Sequence, residues 1–127
     1  MKLAAVVATI LLSIVVIFQV TLAAGAPVGR AAWGGRHSGV LPARLRIASG
    51  LVAFVVYPII ILAVLDASGF LDWDVLPGNG APVMWTLVAL FTFGALANLV
   101  SRSMLERFWA PVSLAIAVCC AFIAAGL

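Results

Sequence analysis

Only 9% of the 127 residues are charged and 66% are hydrophobic, whereas about a quarter of the residues of a soluble globular domain carry charge. This composition excludes an ordinary water-soluble protein and predicts a single membrane domain over residues 1–127, an all-α bundle of four transmembrane helices. The formal charge of +3 does not indicate a nucleic-acid partner, because the basic residues flank apolar segments and form no continuous basic face.

The first predicted transmembrane helix covers residues 3–24, an uncharged stretch long enough to cross a hydrocarbon layer of about 30 Å. Ala5, Thr9 and Ser13 recur every fourth residue and give one helix face small side chains, which lets another helix approach closely. A cleaved secretory signal is the alternative, because Lys2 precedes the apolar run and small residues follow it. The retained helix is favoured, since the run is longer than a typical signal core and cleavage would leave the following arginines outside.

The stretch Gly25–Arg46 interrupts the apolar pattern with five glycines, the only histidine and four of the six arginines. Its glycines and prolines predict a loop, and apolar residues such as Trp33 predict that it folds back against the membrane. Arginine forms bidentate hydrogen bonds to phosphate, and successive amides of glycine-rich turns bind anions. The residues expected to bind an anion or a lipid headgroup are Arg30, Arg36, Arg44 and Arg46. The alternative, that these arginines only set the topology, stays open.

The second predicted helix covers residues 43–65 and contains Pro58, which cannot donate a hydrogen bond to the carbonyl four residues earlier and therefore predicts a kink. The loop that follows, residues 66–81, carries three aspartates and no basic residue. Two of these aspartates flank Trp73, but no histidine or cysteine accompanies them. A solvated loop with an interfacial tryptophan is favoured over a metal site.

The third predicted helix covers residues 82–100. Gly94 and Asn98 lie four residues apart on one face, a combination that suits close packing and a hydrogen bond between helices. The alternative is that Asn98 lines a polar site, because buried polar side chains in membranes are costly and often functional.

The fourth predicted helix covers residues 104–127, and the sequence at its start matches a capping box. Ser103 and Glu106 are each expected to bond the backbone N–H of the other. Cys119 and Cys120 are neighbours within the apolar run, where adjacent cysteines rarely satisfy disulfide geometry. They are interpreted as packing residues.

The distribution of charge predicts how the bundle sits in the membrane. With four helices, the loops after the first and the third share one side and hold all six arginines. Both termini and the aspartate loop share the other side. The positive-inside rule places the arginine loops in the cytoplasm and both termini outside.

No catalytic motif is found: the sequence has no P-loop lysine, no HExxH pair, no CxxC pair and no GxSxG elbow. No metal or other cofactor is predicted. Small four-helix drug exporters carry a membrane-embedded glutamate in their first helix, and this first helix has no acidic residue. Proton-coupled export by that route is therefore not expected.

Two stretches of the chain carry a recognisable pattern. They are Gly25-Ala26-Pro27, Gly29, Gly34-Gly35, Val40-Leu41-Pro42, Arg44 and Arg46-Ile47, and then Asn98–Ser103, Glu106-Arg107 and Trp109–Pro111. This pattern resembles the signature of a widespread family of small, uncharacterised bacterial four-helix membrane proteins. The resemblance implies the four-helix fold and a place in the bacterial inner membrane, and it brings no established activity.

Two functions stay open. The first is a non-enzymatic membrane module that binds anionic lipid, a partner membrane helix or a second copy of itself. The second is a small carrier or membrane-embedded enzyme with a polar pocket near the cytoplasmic side, formed by Gln19, His37 and Asn98. A cavity lined by such side chains would favour the second function, whereas a tightly packed centre would favour the first.

Overall fold

The computed structural model describes all residues from Met1 to Leu127, and its regular secondary structure is entirely helical. The α-helices are α1 (Lys2–Ala23), α2 (Ala43–Leu51), α3 (Tyr57–Ala67), α4 (Ala81–Leu99), α5 (Met104–Arg107) and α6 (Trp109–Ala124). A π-helical turn, Val52–Val56, joins α2 to α3. Short 3₁₀ turns lie at Gly29–Ala31, Trp33–Gly35 and Pro77–Gly80.

Four helical stretches are long and apolar enough to cross a membrane. In chain order, these spans 1 to 4 are Lys2–Ala23, Ala43–Ala67, Pro77–Leu99 and Met104–Ala124. They coincide with the four helices predicted from the sequence, differing by a few residues at their ends. The predicted all-α arrangement of four long apolar helices is thus confirmed.

Span 2 changes its helical geometry just before Pro58. Proline has no N–H, so the carbonyl four residues earlier loses its usual helical partner. The backbone widens into the π-helical turn, and the N–H of Tyr57 donates to the carbonyl of Val52, five residues back. The helical geometry thus changes just before Pro58, the residue at which a kink is predicted.

The most extensive helix contact is between α4 and α6. A Cβ atom placed on Gly94 would lie only 3.2 Å from Ser113 Oγ, so the missing side chain lets the two helices approach closely. Ser113 Oγ donates a hydrogen bond of 2.6 Å to the carbonyl of Phe91. The hydrogen bond between these helices therefore comes from Ser113, and Asn98 does not take the role first expected of it.

The core is formed where α1 packs on α6 on one side and on span 2 on the other. On α1 the buried face is Ala5, Ala8 and Leu12, while Thr9 and Ser13 of the predicted stripe are only half-buried. Ser13 Oγ donates to the carbonyl of Thr9 within the same helix. Both cysteines are free and buried, as the packing interpretation predicts.

The two ends of the bundle carry different charges. At one end, Ser103 Oγ donates to the carbonyl of Arg30, so the loop after α1 meets the loop after α4, and all six arginines lie at or near this end. We call it the arginine end. At the other end, the amino group of Met1 donates to the carbonyl of Leu127, and Lys2 Nζ lies 5.3 Å from the ring centroid of Phe70 in the aspartate loop.

The aspartate loop packs closely on α3 through Gly80, which gives a first testable prediction. A Cβ atom on Gly80, where φ is +83°, would lie 2.6 Å from Ala67 Cβ, whereas Gly69, at φ +87°, has no atom within 4 Å of that position. Both Gly→Ala variants strain the backbone, but only Gly80→Ala adds a clash. We expect Gly80→Ala to lower the free energy of unfolding by about 1–3 kcal/mol more than Gly69→Ala. Denaturant titration in detergent micelles measures the difference, and equal losses would contradict this packing.

Candidate functional site

A cavity of about 400 Å³ lies between the helices and extends to the arginine end. It exists because α2 and the π-helical turn pack on α1, α4 packs on α6, and spans 2 and 3 meet mainly through α3 near the other end. Spans 2 and 3 therefore diverge towards the arginine end. The volume falls within the range of about 300–1,000 Å³ that is usual for small-molecule sites.

The walls of the cavity are mostly apolar and rich in aromatic rings. Fourteen of its 19 lining residues are hydrophobic, so an apolar ligand, or the apolar part of one, suits it. Phe18 and Trp109 contribute rings whose centroids are 4.7 Å apart, and the rings of Tyr57 and Phe91 are 6.4 Å apart. These pairs join different helices and hold the walls at defined positions.

A few polar side chains interrupt these apolar walls. Gln19 and Asn98, both predicted for a polar pocket, line the cavity, and so do Glu106 and Ser113. His37, the third predicted member, is not among the lining residues. The amide oxygen of Gln19, Oε1, is buried and has no hydrogen-bond partner. The structure therefore brings two of the three predicted residues together and adds a carboxylate.

That carboxylate fastens the loop after α1 to the start of span 4. Glu106 is 7% exposed, and its Oε2 accepts a hydrogen bond of 2.8 Å from the N–H of Gly34. Ser103 Oγ accepts from the N–H of Glu106 at 3.3 Å, so half of the predicted capping box is present. The other predicted half, a bond from the N–H of Ser103 to the Glu106 carboxylate, is wrong. That N–H donates to Ser101 Oγ instead, which leaves the Glu106 carboxylate to bond the loop.

Trp33 closes one edge of the cavity with an unusual backbone conformation. Its φ of +52° lies in the left-handed region, which a bulky residue rarely adopts and which costs on the order of 1–3 kcal/mol. The indole Nε1 donates a hydrogen bond of 2.9 Å to Oγ of Ser49, which is fully buried on α2. This bond ties Trp33 to the bundle, whereas the sequence indicated only that the loop carrying it folds back against the membrane.

The loop between α1 and α2 is compact, in agreement with the prediction that it does not extend freely. Leu22, Ala32 and Leu41 form a small buried cluster beneath it. The N–H of Gly29 donates to the carbonyl of Gly39 at 2.8 Å, and a Cβ atom on Gly29 would lie 2.7 Å from that oxygen. The loop thus forms a packed roof over the arginine end of the cavity.

The four arginines proposed as an anion site do not form one cluster with the cavity. Arg46 Nε donates to the carbonyl of Ala23 at 3.2 Å, which holds this side chain against the end of α1. None of the four lines the cavity. Three of them are exposed on the outer surface of this end, namely Arg30, Arg36 and Arg44.

Sequence reasoning missed Glu106 and Trp33 as site residues. Glu106 was assigned to the helix cap, although Ser101 nearby offered a second hydroxyl for that role. The available signal was that Glu106 is the only glutamate of the chain and lies within three residues of Trp109. The backbone conformation of Trp33 leaves no comparable mark in the sequence.

No family model, curated protein or solved structure matches this chain. The chain also contains no group of three or more histidine, cysteine, aspartate or glutamate side chains placed to hold a metal ion. The interpretation of the site therefore depends on its own geometry.

The bond between Glu106 and Gly34 gives a second prediction. Glu106→Gln retains an oxygen that can accept from the Gly34 N–H, whereas Glu106→Leu removes this bond, and a hydrogen bond to a charged group contributes about 1.5–3 kcal/mol. We expect amide exchange across residues 33–36 to accelerate about tenfold or more in Glu106→Leu and to change little in Glu106→Gln. Hydrogen exchange measured by mass spectrometry tests this, and equally slow exchange in both variants would show that the carboxylate does not hold the loop.

Proposed function

We propose that the chain is a multi-pass membrane protein that binds an amphiphilic ligand, without chemical conversion, in the cavity between its helices. The observation that carries this proposal is that some cavity-lining side chains are also exposed on the outer surface of the bundle, which we interpret as a sideways opening of the cavity. Two of its lining residues, Val56 on span 2 and Leu90 on span 3, are 46% and 54% exposed on the outer surface of the bundle. In a bilayer these positions face lipid, so a ligand dissolved in the membrane reaches the cavity without crossing water.

Insertion in a membrane is supported by what the outer surface exposes. Between 22% and 33% of the residues in the four spans are buried, so most of their apolar side chains point outwards. Phe54 and Phe93, for example, are 69% and 72% exposed. A soluble protein rarely exposes apolar patches of this extent, whereas lipid tails cover them at no cost.

The proposed orientation places the arginine end in the cytoplasm and both termini on the opposite side. Its support is the positive-inside rule together with the meeting of the two arginine-bearing loops at one end. The sequence pattern that resembles small bacterial four-helix membrane proteins is the support for proposing that family and the inner membrane.

The surface arginines contribute to lipid contact outside the cavity. Arg30, Arg36 and Arg44 are exposed at the level where the spans end, and each basic residue near an anionic membrane surface contributes about 1 kcal/mol. This contact sets the depth and orientation of the bundle. This contact is compatible with a purely topological role of the arginines, since total charge is enough both for lipid contact and for setting the topology.

The polar groups of the cavity suit ligand binding better than catalysis. The one carboxylate, Glu106, already accepts from the Gly34 N–H, and Ser113 Oγ donates to a backbone carbonyl, so the two do not form a nucleophile and base pair. The amides of Gln19 and Asn98 suit the orientation of a ligand. The proposal joins the lipid binding of the first function inferred from the sequence with the polar pocket of the second. A second copy or a partner membrane protein can still occupy the exposed outer faces.

A variant at the sideways opening tests ligand binding. Val56→Phe adds bulk at a lining position, whereas Val55→Phe adds the same bulk at a neighbouring position that is 48% exposed and does not line the cavity. We expect Val56→Phe to reduce the population of protein with bound amphiphile about tenfold, as overpacking by about 1–3 kcal/mol implies. Native mass spectrometry of protein released from nanodiscs measures this population. Equal ligand binding by both variants would refute the cavity as the site.

The proposed orientation has its own test. We expect a membrane-impermeant thiol reagent applied to intact spheroplasts to label Asp72→Cys and to leave Arg36→Cys unlabelled until the membrane is opened. The native cysteines are buried and supply a low background. Labelling of Arg36→Cys in intact spheroplasts, with Asp72→Cys protected, would reverse the assignment.

A further inference from the structure

We propose that the amphiphile carries a primary ammonium group and that Glu106 is its counter-ion. This inference rests on the proposed function, because it names the class of ligand that the same cavity takes. It is carried by an unusual combination at one place: a buried carboxylate, unpaired hydrogen-bond acceptors and aromatic faces around one apolar chamber.

The carboxylate of Glu106 is only partly satisfied by the protein. Its side chain is 7% exposed, and Oε2 accepts from the N–H of Gly34. Oε1 has no donor within the chain, although an ionised carboxylate can accept about four hydrogen bonds. Oε1 is not among the fully buried atoms that lack a partner, so it remains accessible, and a cation placed in the cavity beside it would compensate a carboxylate that the chain satisfies with one donor.

The neighbouring polar groups also favour a donor. The amide oxygen of Gln19 is buried without a hydrogen-bond partner, and the amide of Asn98 lines the same chamber. A primary ammonium group offers three N–H donors and no acceptor. A carboxylate or phosphate placed here would instead face the charge of Glu106.

Aromatic rings strengthen the preference for a cation. Phe18, Trp33 and Trp109 all line the cavity together with Glu106. The faces of such rings attract an ammonium group within about 6 Å of the centroid, most strongly when water is excluded. The apolar remainder of the chamber then suits an alkyl chain, and a volume of about 400 Å³ matches one chain better than a complete two-chain lipid.

The arginines at the same end do not oppose this arrangement. None of the six lines the cavity, so their charges stay outside the chamber. A cation arriving from the cytoplasm would meet them, and charges closer than a Debye length of about 8 Å repel it. Entry past Val56 or Leu90, which line the cavity and are exposed on the outer surface, avoids that approach because it begins in the bilayer.

The experiment compares ligands that share a chain and differ in head charge. Wild-type protein in phosphatidylcholine nanodiscs is titrated with dodecylammonium, dodecanol and dodecyl sulfate, each expressed as its mole fraction in the bilayer. All titrations, including that of the otherwise wild-type protein, use a background with Trp73→Phe and Trp85→Phe, which removes two tryptophans that do not line the cavity. The fluorescence of Trp33 and Trp109 then reports on the cavity. We expect dodecylammonium to bind at least about tenfold more tightly than the other two.

Two variants distinguish the effect of the Glu106 carboxylate from a general effect of removing negative charge. Glu106→Gln keeps an acceptor for the Gly34 N–H and removes the charge, and we expect it to lose at least about tenfold in affinity for dodecylammonium. Asp66→Asn is the matched control. Its carboxylate also accepts from a backbone N–H, that of Asp74 at 3.0 Å, but does not line this cavity. We expect this control to bind like wild type.

Changing the lipid shows whether the ammonium group belongs to a lipid headgroup or to a free long-chain amine. If nanodiscs of phosphatidylethanolamine weaken dodecylammonium binding relative to phosphatidylcholine, the lipid headgroup itself competes and is a natural ligand. If both lipids give the same affinity, a free long-chain amine is the ligand. Either result supports an ammonium site, because both require selective binding of dodecylammonium.

The results that would overturn the inference are distinct from those that would overturn the proposed function. Equal binding of all three amphiphiles by wild type, or full affinity in Glu106→Gln, would refute the ammonium site while leaving an amphiphile cavity. Absence of any fluorescence response to all three amphiphiles would refute both the ammonium site and the cavity as a binding site.

Discussion

One hydrogen bond, from the N–H of Gly34 to Oε2 of Glu106, anchors the loop that covers the arginine end of the cavity. It links the loop after span 1 to the first turn of span 4, across 72 residues of sequence. Because the bond involves a charged acceptor, it is stronger than a bond between neutral groups. Together with the bond from Trp33 to Ser49 and the bond from Ser103 to the carbonyl of Arg30, this attachment holds the loop over the arginine end of the cavity.

The same attachment explains why charge is arranged as it is at this end. Six arginines stay outside the cavity, where water or headgroups solvate them, and a single carboxylate points inwards. A buried carboxylate is tolerated only when donors or a cation compensate it, and the loop supplies one donor. The remaining acceptor capacity is what distinguishes this cavity from a simple packing defect between diverging helices. Helix divergence creates the space, and Glu106 is the basis of the preference for a cation that we propose.

Sequence patterns predicted the fold well, because the length and hydrophobicity of each span and the sign of charge in each loop are local properties. The number of helices, their limits and the meeting of the arginine loops followed from them. The cavity did not, since it depends on span 2 packing on α1 while α4 packs on α6, a choice of neighbours that no periodicity encodes. Gln19 and Asn98 were identified as rare polar residues in apolar helices, whereas the role of Glu106 was hidden by a capping pattern that is only half formed.

The most direct test of this account is the separation of two nuclei in the protein reconstituted in lipid bilayers. Glu106 is the only glutamate, so 13C at its side-chain carboxyl is a unique label, and 15N-glycine supplies the amide of Gly34. With 2.8 Å between the amide nitrogen and Oε2, the account predicts strong rotational-echo double-resonance dephasing of the carboxyl carbon by a glycine nitrogen. A carboxyl signal that shows no such dephasing would contradict the attachment of the loop through Glu106.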